Sequence, residues 1–344
     1  MKLFKKKSSV GLQLETGVIR AVEVTGTLSD AVLVKAEQVK IPEQAIVEGV
    51  VKDTEAVAGG LKELWERSRI SSREVVLGVS NQGVLMRLAD FPKIELNKLD
   101  KMLRFQAGEY FPIPVSEMVL DFAVVGEMQG ETGPRLETLM VAVRQDMLDK
   151  SLQATAGAAL VPRVVDASPL ALMRTVPESM LAGTIIFADI ASGITSLMLS
   201  TAGIPRFVRI IPTNLQAASS QDFLIGDIVF EAKQQIASTV EHESISGDDW
   251  SGWGRSLAEE IRSSIGFYLA QRDSLTVDCL CLSGQGARSE GLSELINSLL
   301  DIPVKVINPA APFQNAVDAH NVNWSKEGTD FAVAVGLALR GLET

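Results

Sequence analysis

Three short turns of small residues carry the chemistry that this sequence suggests first. They are Glu15-Thr16-Gly17, Ala191-Ser192-Gly193 and Gly284-Gln285-Gly286. Turns of this kind expose successive backbone N–H groups, which form concavities that bind anions such as phosphate. Asp189 stands just before the second turn, and Mg²⁺ is often held by few carboxylates with several waters between. Plain tight turns, with Asp189 merely capping its own, explain the same residues, so both interpretations stay open.

The usual catalytic signatures are missing. The sequence has no G-x-x-x-x-G-K-[ST] phosphate loop, no H-E-x-x-H, no G-x-S-x-G elbow and no C-x-x-C pair. Its two cysteines, Cys279 and Cys281, alternate along a predicted buried strand, where thiols behave as small apolar side chains. With only His242 and His320 besides, no zinc site is predicted. We predict no catalytic residue and favour a protein that is not an enzyme.

Length, charge and hydropathy restrict the class of protein. The chain has 344 residues, 46% of them hydrophobic, and a formal net charge of −11. That length predicts two domains or one large divided one, and the negative charge argues against general nucleic-acid binding. The most apolar stretch, Phe331 to Leu339, is far shorter than the ~18 residues of a membrane-spanning helix. We therefore expect a soluble, cytoplasmic protein with reduced thiols.

Strand and helix periodicities alternate along the chain, which predicts an α/β fold. The segments Val10–Leu14 and Val18–Val24 flank the first turn and should form a hairpin. After Pro177 the same opening recurs, with strands at Ile185–Ile190 and Thr195–Leu199 around the second turn. This recurrence suggests an internal duplication about half a chain apart.

Three further segments have a predicted conformation. A helix should end at Tyr110, because prolines follow it, and the region from Asn214 to Val240 should also be helical. Trp250 and Trp253 should lie in an exposed polar loop, 244–254. There they either dock a partner or pin the loop to its own lobe, and the sequence does not decide between these roles.

Several short motifs occur together in the order and spacing of one family. The strongest is R-F-Q-A at 104–107, followed by Y-F-P-I-P at 110–114 and V-L-D at 119–121. Others are L-S-G-Q-G-A at 282–287, I-P-V at 302–304 with N-P at 308–309, and V-G-L-A-L-R-G at 335–341. On these residues the chain resembles the PilM family of type IV pilus assembly proteins, which is actin-like and related to the cell-division protein FtsA. The likeness covers nearly the whole chain.

The resemblance implies an α/β, actin-like fold of FtsA/PilM type, with two lobes around a nucleotide cleft and an extra inserted subdomain. The implied division is lobe 1 at 1–72, the extra subdomain at 73–153, lobe 1 continued at 154–178, the lobe 2 core at 179–212, an outer lobe 2 subdomain at 213–256, the lobe 2 core continued at 257–312 and a return to lobe 1 at 313–344.

The three turns depart from the family pattern. An acidic residue is replaced by Gln13, and glycines are replaced by Glu15, Ala191 and Gln285. A carboxylate beside a triphosphate is repulsive, by about 4 kcal/mol at 4 Å with an effective dielectric near 20. The resemblance therefore implies a weakened site for ATP, with Mg²⁺ held by Asp189 through water only if nucleotide binds. The residues still expected to contact nucleotide are Thr16, Gly17, Asp189, Ser192, Gly193, Thr195, Gly284 and Gly286.

The resemblance also implies a protein partner. The family binds the short cytoplasmic N-terminal tail of the membrane protein PilN, in a groove beside the extra subdomain. An extended peptide with apolar anchors suits a groove of this kind. Residues that would line or shape it are Phe105, Tyr110, Phe111, Pro112 and Pro114. For Phe105 and Tyr110, a place in the ordinary core is the simpler explanation.

A basic segment at the start of the sequence suggests a second, weak contact. Lys2, Lys5, Lys6 and Lys7 are interleaved with apolar residues and suit the surface of an anionic membrane, where each lysine contributes about 1 kcal/mol. A frayed, solvated terminus is the simpler explanation of the same residues.

The functional hypothesis is a cytoplasmic scaffold at the inner face of the membrane. It would join a PilN-like protein to other components of the pilus platform or motor, without any necessary chemistry. The alternative is an ATP-dependent switch or weak ATPase. A phosphotransferase like the sugar kinases lacks support, because no acid/base pair stands at a recognisable spacing. The cytoplasmic part of a type II secretion platform protein is a related possibility.

Overall fold

The computed structural model describes residues 7–131, 133–212, 214–217, 228–231, 250–269, 276–311, 313 and 322–343. The strands are β1 (Ser8–Glu15), β2 (Val18–Thr25), β3 (Val32–Lys40), β4 (Ile46–Val47), β5 (Val50–Val51), β6 (Glu74–Val79), β7 (Val84–Pro92), β8 (Met118–Gly130), β9 (Gly133–Arg144), β10 (Val161–Ala167), β11 (Thr184–Ile190), β12 (Ile194–Thr201), β13 (Ile204–Pro212), β14 (Asn214–Ala217), β15 (Ile228–Glu231), β16 (Cys279–Ser283) and β17 (Val304–Val306).

The α-helices are α1 (Thr54–Ser68), α2 (Leu96–Tyr110), α3 (Gln145–Gly157), α4 (Ser168–Ala171), α5 (Glu178–Leu181), α6 (Trp250–Leu269), α7 (Leu292–Leu300), α8 (Trp324–Glu327) and α9 (Ala332–Glu343). Short 3₁₀ helices lie at Leu28–Asp30, Glu43–Ala45, Val115–Glu117, Leu172–Thr175, Gln285–Arg288 and Gly328–Phe331. Within the ranges that the structure describes, no helix combines the length and the hydropathy that crossing a membrane requires.

The first lobe is built on a five-stranded sheet in the order β10-β6-β1-β2-β3. β1 and β2 form the predicted antiparallel hairpin, with Ser8 opposite Thr25 and Glu15 opposite Val18. β6 runs parallel to β1 and β10 runs parallel to β6. Every residue of β2 before Thr25 is buried, because α1 and α3 cover one face of the sheet and α9 covers the other.

The second lobe repeats this arrangement. Its sheet has the order β17-β16-β11-β12-β13, in which β11, β12 and β13 pair antiparallel and β16 and β17 run parallel to β11. The two sheets therefore share one strand order, which accounts for the predicted duplication. Cys279 and Cys281 are buried in the same cluster beside α9, as their alternation predicts, and α6 and α7 cover the opposite face.

Helix α9 lies between the two sheets. Val335 and Leu339 pack with the first sheet, whereas Val333 and Leu337 pack with Phe187 of the second. A helix that meets apolar surface on both sides needs no polar stripe. This position explains why the most apolar stretch of the sequence is a buried helix.

A third sheet, in the order β7-β9-β8, is covered by α2. α2 ends at Tyr110, as predicted. The extra subdomain is expected at 73–153, and this third sheet lies within that range. Of the same range, β6 pairs with β1, and Leu152 of α3 packs against the core of the first lobe. β7 to β9 with α2 are therefore the part of the range that lies outside the first-lobe sheet.

Two predictions for the second lobe are wrong where the structure describes them. The expected helix from Asn214 to Val240 contains β14 and β15, which pair antiparallel. The β15 segment is rich in β-branched and aromatic residues, which favour strands. Most of the expected helix and of the loop 244–254 lies outside the described residues. Trp253, however, is in α6 and is 5% exposed, because Trp253, Leu257 and Ile261 share one buried helical stripe.

Candidate functional site

The three small-residue turns meet in a cleft between the lobes. The first turn follows β1, the second joins β11 to β12 and the third follows β16. A Cβ atom on Gly193 would lie 2.8 Å from the Thr16 hydroxyl, and one on Gly284 would lie 2.6 Å from the Ile190 carbonyl oxygen. Both glycines also have positive φ, 87° and 82°. Glycine is therefore required at both positions by backbone conformation and by contact.

The cleft leaves almost no space between the first two turns. Its cavity measures about 10 Å³, which is room for about one water molecule, whereas ligand pockets usually measure about 300–1,000 Å³. Backbone donors of the turns are also engaged: Ala191 N donates to Ile194 O at 3.0 Å and Gly284 N to Thr329 O at 3.1 Å. In this arrangement the cleft does not fit a nucleoside triphosphate.

The other residues of the predicted nucleotide site line the same cleft or lie behind it. Ser192 Oγ donates to Gln285 Oε1 at 3.1 Å, so the side chain that replaces a glycine of the third turn binds the second turn. Gly17 has a positive φ of 78°. Gly286 is buried in the third turn, and Thr195 is fully buried in β12.

A buried arginine organises the charges of the cleft. Arg20 is 1% exposed, and its Nη1 lies 2.5 Å from Glu15 Oε2 while its Nη2 lies 3.7 Å from Asp330 Oδ2. Its Nε donates to Gln38 Oε1 at 3.1 Å. Gln13 Nε2 donates to the other Glu15 oxygen at 2.5 Å. Glu15 therefore neutralises Arg20, and its carboxylate is committed to that pair.

The same cluster connects the two lobes. Asp330 contacts Arg20 of the first sheet on one side and Arg288, which follows β16 of the second sheet, on the other, with 3.1 Å between Arg288 Nε and Asp330 Oδ1. Asp189 is buried and accepts a hydrogen bond from Ser283 Oγ at 2.7 Å. Within the described residues, no three His, Cys, Asp or Glu side chains are grouped as metal ligands would be.

Burial shifts the protonation of this cluster. It raises the pKa of Asp189 to about 7, with the Glu15 carboxylate adding to the effect, and that of Asp330 to about 6 despite Arg20 and Arg288. Burial lowers the pKa of Arg20, but the carboxylates of Glu15 and Asp330 more than offset this, so it stays above its ordinary value. Near neutral pH, Asp189 is thus partly protonated, although the hydrogen bond that it accepts from Ser283 favours its ionised form.

We expect an Asp189→Asn variant to gain stability relative to the native chain as the pH rises from 5 to 8. Between about pH 4 and pH 7 the folded state keeps an Asp189 proton that the unfolded state has lost. Native stability then falls with rising pH, by up to about 1.4 kcal/mol per pH unit, whereas asparagine stays neutral and still accepts from Ser283. Urea unfolding of both proteins at four pH values measures this, and a difference that does not change with pH would contradict it.

The signature residues of the extra subdomain divide between surface and core. Phe105 is 89% exposed on α2. Tyr110 is half-buried, and Phe111 is 2% exposed within the core beneath α2. Pro112 and Pro114 are exposed. Direct contact with a partner is therefore open to Phe105 and the prolines, whereas Phe111 can act only by supporting the fold, because its side chain is already covered.

A second cavity, called the groove here, lies where both lobes meet the third sheet. It measures about 580 Å³. Its apolar wall includes Leu28, Leu139, Met173, Leu181, Pro205 and Leu339. Each of these residues belongs to a different element, so no local motif in the sequence marks the groove. The only sequence signal was indirect, namely the expectation of a peptide groove beside the extra subdomain.

One protein family matches most of this chain. The model of the family described as type IV pilus assembly protein PilM matches residues 11–209 and 250–342. A solved PilM–PilN type IV pilus biogenesis complex is similar at 26% identity and a TM-score of 0.76, over 99% of this chain and 100% of that one. The ethanolamine utilization protein EutJ from Carboxydothermus hydrogenoformans is similar in fold, at 13% identity and a TM-score of 0.52, over 98% and 90% of the two chains.

Proposed function

The chain belongs to the PilM family of type IV pilus assembly proteins, with the actin-like, two-lobed α/β fold of that family, and we propose that it is a scaffold that holds the N-terminal tail of a PilN-like membrane protein. The solved relative is a complex of PilM with PilN. Carried over to this chain, the same pairing requires a surface that accepts a short peptide.

The observation that supports this proposal most is the groove. Its volume of about 580 Å³ falls within the range of built ligand sites, and its wall is mainly apolar. One side of the groove belongs to the extra subdomain, which contributes Leu139 of β9. The other side belongs to the first lobe, which contributes Met173 and Leu339. An extended tail with apolar anchors would bury those anchors there and leave its backbone at the rim.

The proposal requires no nucleotide. The cleft is filled by its own turns, and Arg20 joins Glu15 and Asp330 there, so side-chain charges link the lobes without MgATP. The second candidate, an ATP-dependent switch, is favoured by one observation. The buried hydroxyls of Thr16 and Thr329 have no hydrogen-bond partner, and a ligand that entered an opened cleft would supply one.

Isothermal titration of the protein with a PilN tail peptide, with and without MgATP, separates the two candidates. The scaffold predicts the same affinity in both titrations, because the groove is already formed. The switch predicts at least a several-fold change, since coupling free energies are typically about 1–3 kcal/mol. A tail peptide that binds under neither condition would overturn both.

The proposed location is the cytoplasm, at the inner face of the membrane that anchors the PilN-like partner. Other platform or motor components would then bind the remaining surface, of which Phe105 is the most exposed aromatic residue on α2. Weak attraction of Lys2, Lys5, Lys6 and Lys7 to anionic lipid would add to this placement. Of these four, only Lys7 is among the described residues, where its Nζ donates to Leu342 O at 3.1 Å.

A further inference from the structure

The groove lies beside the point where the described chain begins. Lys7 O accepts a hydrogen bond from Gly26 N at 2.9 Å, and Lys7 Nζ donates to Leu342 O at 3.1 Å. Leu28 and Ser29, just after Gly26, line the groove, as do Leu339 and Glu343 on either side of Leu342. Residue 7 is therefore held within a few residues of the groove wall on two sides.

The register of the first hairpin gives the direction in which β1 points at its N-terminal end. Ser8 lies opposite Thr25 in an antiparallel pair, and the Gly26–Lys7 hydrogen bond extends that pairing by one position. A chain that continued in this direction before Lys7 would pass Thr27 and reach Leu28, which is part of the groove. Six extended residues span up to about 20 Å, which is enough to cross a cavity of this size.

We propose that residues 1–6 of this chain dock in the groove and compete there with the partner's tail. The segment reads Met-Lys-Leu-Phe-Lys-Lys. In a docked, extended segment, Leu3 and Phe4 would offer apolar anchors on alternate sides. The lysines would meet a rim with two carboxylates, Glu178 and Glu343, and one arginine, Arg174, which already pairs with Glu343. The inference rests on the proposed function only for the identity of the competitor.

Attachment makes a weak contact effective. A short tether gives the segment an effective concentration in the millimolar range, so a free peptide that bound with a dissociation constant near 100 µM would occupy the groove about ten times out of eleven when tethered. The apparent affinity of the chain for the partner's tail is the intrinsic affinity multiplied by the fraction of grooves left open. It is therefore about tenfold lower than the affinity of an open groove.

The first experiment tests docking without the partner. A fluorescein-labelled peptide with the sequence of residues 1–7 is titrated into the full chain carrying Leu3→Ser and Phe4→Ser, which frees the groove. Saturable binding is expected, at least fivefold weaker when Leu28→Lys is added and unchanged when Leu96→Lys is added instead. Leu28 and Leu96 are 52% and 61% exposed, so neither change threatens folding, but only Leu28 lines the groove.

Absence of saturable binding, or equal binding to the Leu28→Lys and Leu96→Lys chains, overturns the docking.

The second experiment tests the competition. It compares the affinity of the PilN tail peptide for the native chain with its affinity for the Leu3→Ser, Phe4→Ser variant, where an increase of about tenfold is expected. Equal affinities overturn the competition. A tail that binds neither chain, while the labelled peptide binds as expected, defeats the proposed function and leaves the docking intact.

Discussion

Replacing Arg20 with methionine is expected to lower the free energy of unfolding by about 3–5 kcal/mol, the usual cost of removing one partner from a buried ion pair. Methionine keeps the apolar stem of the side chain and removes only the guanidinium. Glu15 and Asp330, which both contact Arg20, then lose their common counter-charge inside the fold. Urea unfolding at pH 7.5 measures the change.

Two matched variants identify the cause of that loss. Arg163→Ala removes an arginine that is 65% exposed and paired with Glu74, and it should leave the unfolding midpoint unchanged. The double variant Glu15→Gln, Arg20→Met should recover about 1–3 kcal/mol of the lost free energy of unfolding. In this variant the Glu15 carboxylate, which Arg20→Met alone leaves buried without its counter-charge, is replaced by a neutral amide. If Arg20→Met shifts stability no more than Arg163→Ala does, the buried cluster does not hold the cleft together.

Replacing Met173 with glutamate is expected to weaken binding of the PilN tail peptide by about 100-fold or more. Met173 is part of the apolar wall of the groove, and a carboxylate there must either lose its hydration when the tail binds or prevent the tail from seating. Isothermal titration measures the affinity, with Met173→Gln as the control of nearly equal shape and no charge.

The glutamine variant separates charge from shape. We expect it to lose about tenfold or less, because an amide is far less costly to desolvate than a carboxylate. Unfolding curves of both variants establish that the fold is retained. Equal tail affinities for the native chain and Met173→Glu would place the tail elsewhere, with the exposed face of α2 around Phe105 as the next surface to examine.

Local features of the fold followed from the sequence because they depend on neighbours along the chain. The hairpin at the first turn, the end of α2 at Tyr110 and the buried strand with Cys279 and Cys281 all have a period or a breaker that identifies them. Trp253 was misplaced, since the polar residues around it hid a helical stripe that continues through Leu257.

The candidate site was predictable only in part. The turns that form the cleft contain recognisable small residues, but Arg20 and Asp330 are 310 positions apart, and no pattern joins them. Arg20 and Glu23 within an otherwise apolar strand were the available signal of buried charge, because such residues are rarely buried without a partner. The groove had only the indirect signal of the expected peptide groove, since its wall takes single residues from many elements.

The position of α9 has a consequence for how the protein is made. Both sheets bury one face against this helix, and it is translated after all the strands described above. The strands between Ser8 and Val306 are therefore synthesised before helix α9, against which both sheets pack, has been made. Each half-finished lobe exposes an apolar face during synthesis, which is the condition under which nascent chains associate wrongly or recruit chaperones. Synthesis of the last twelve helical residues then allows both lobes to complete their cores together.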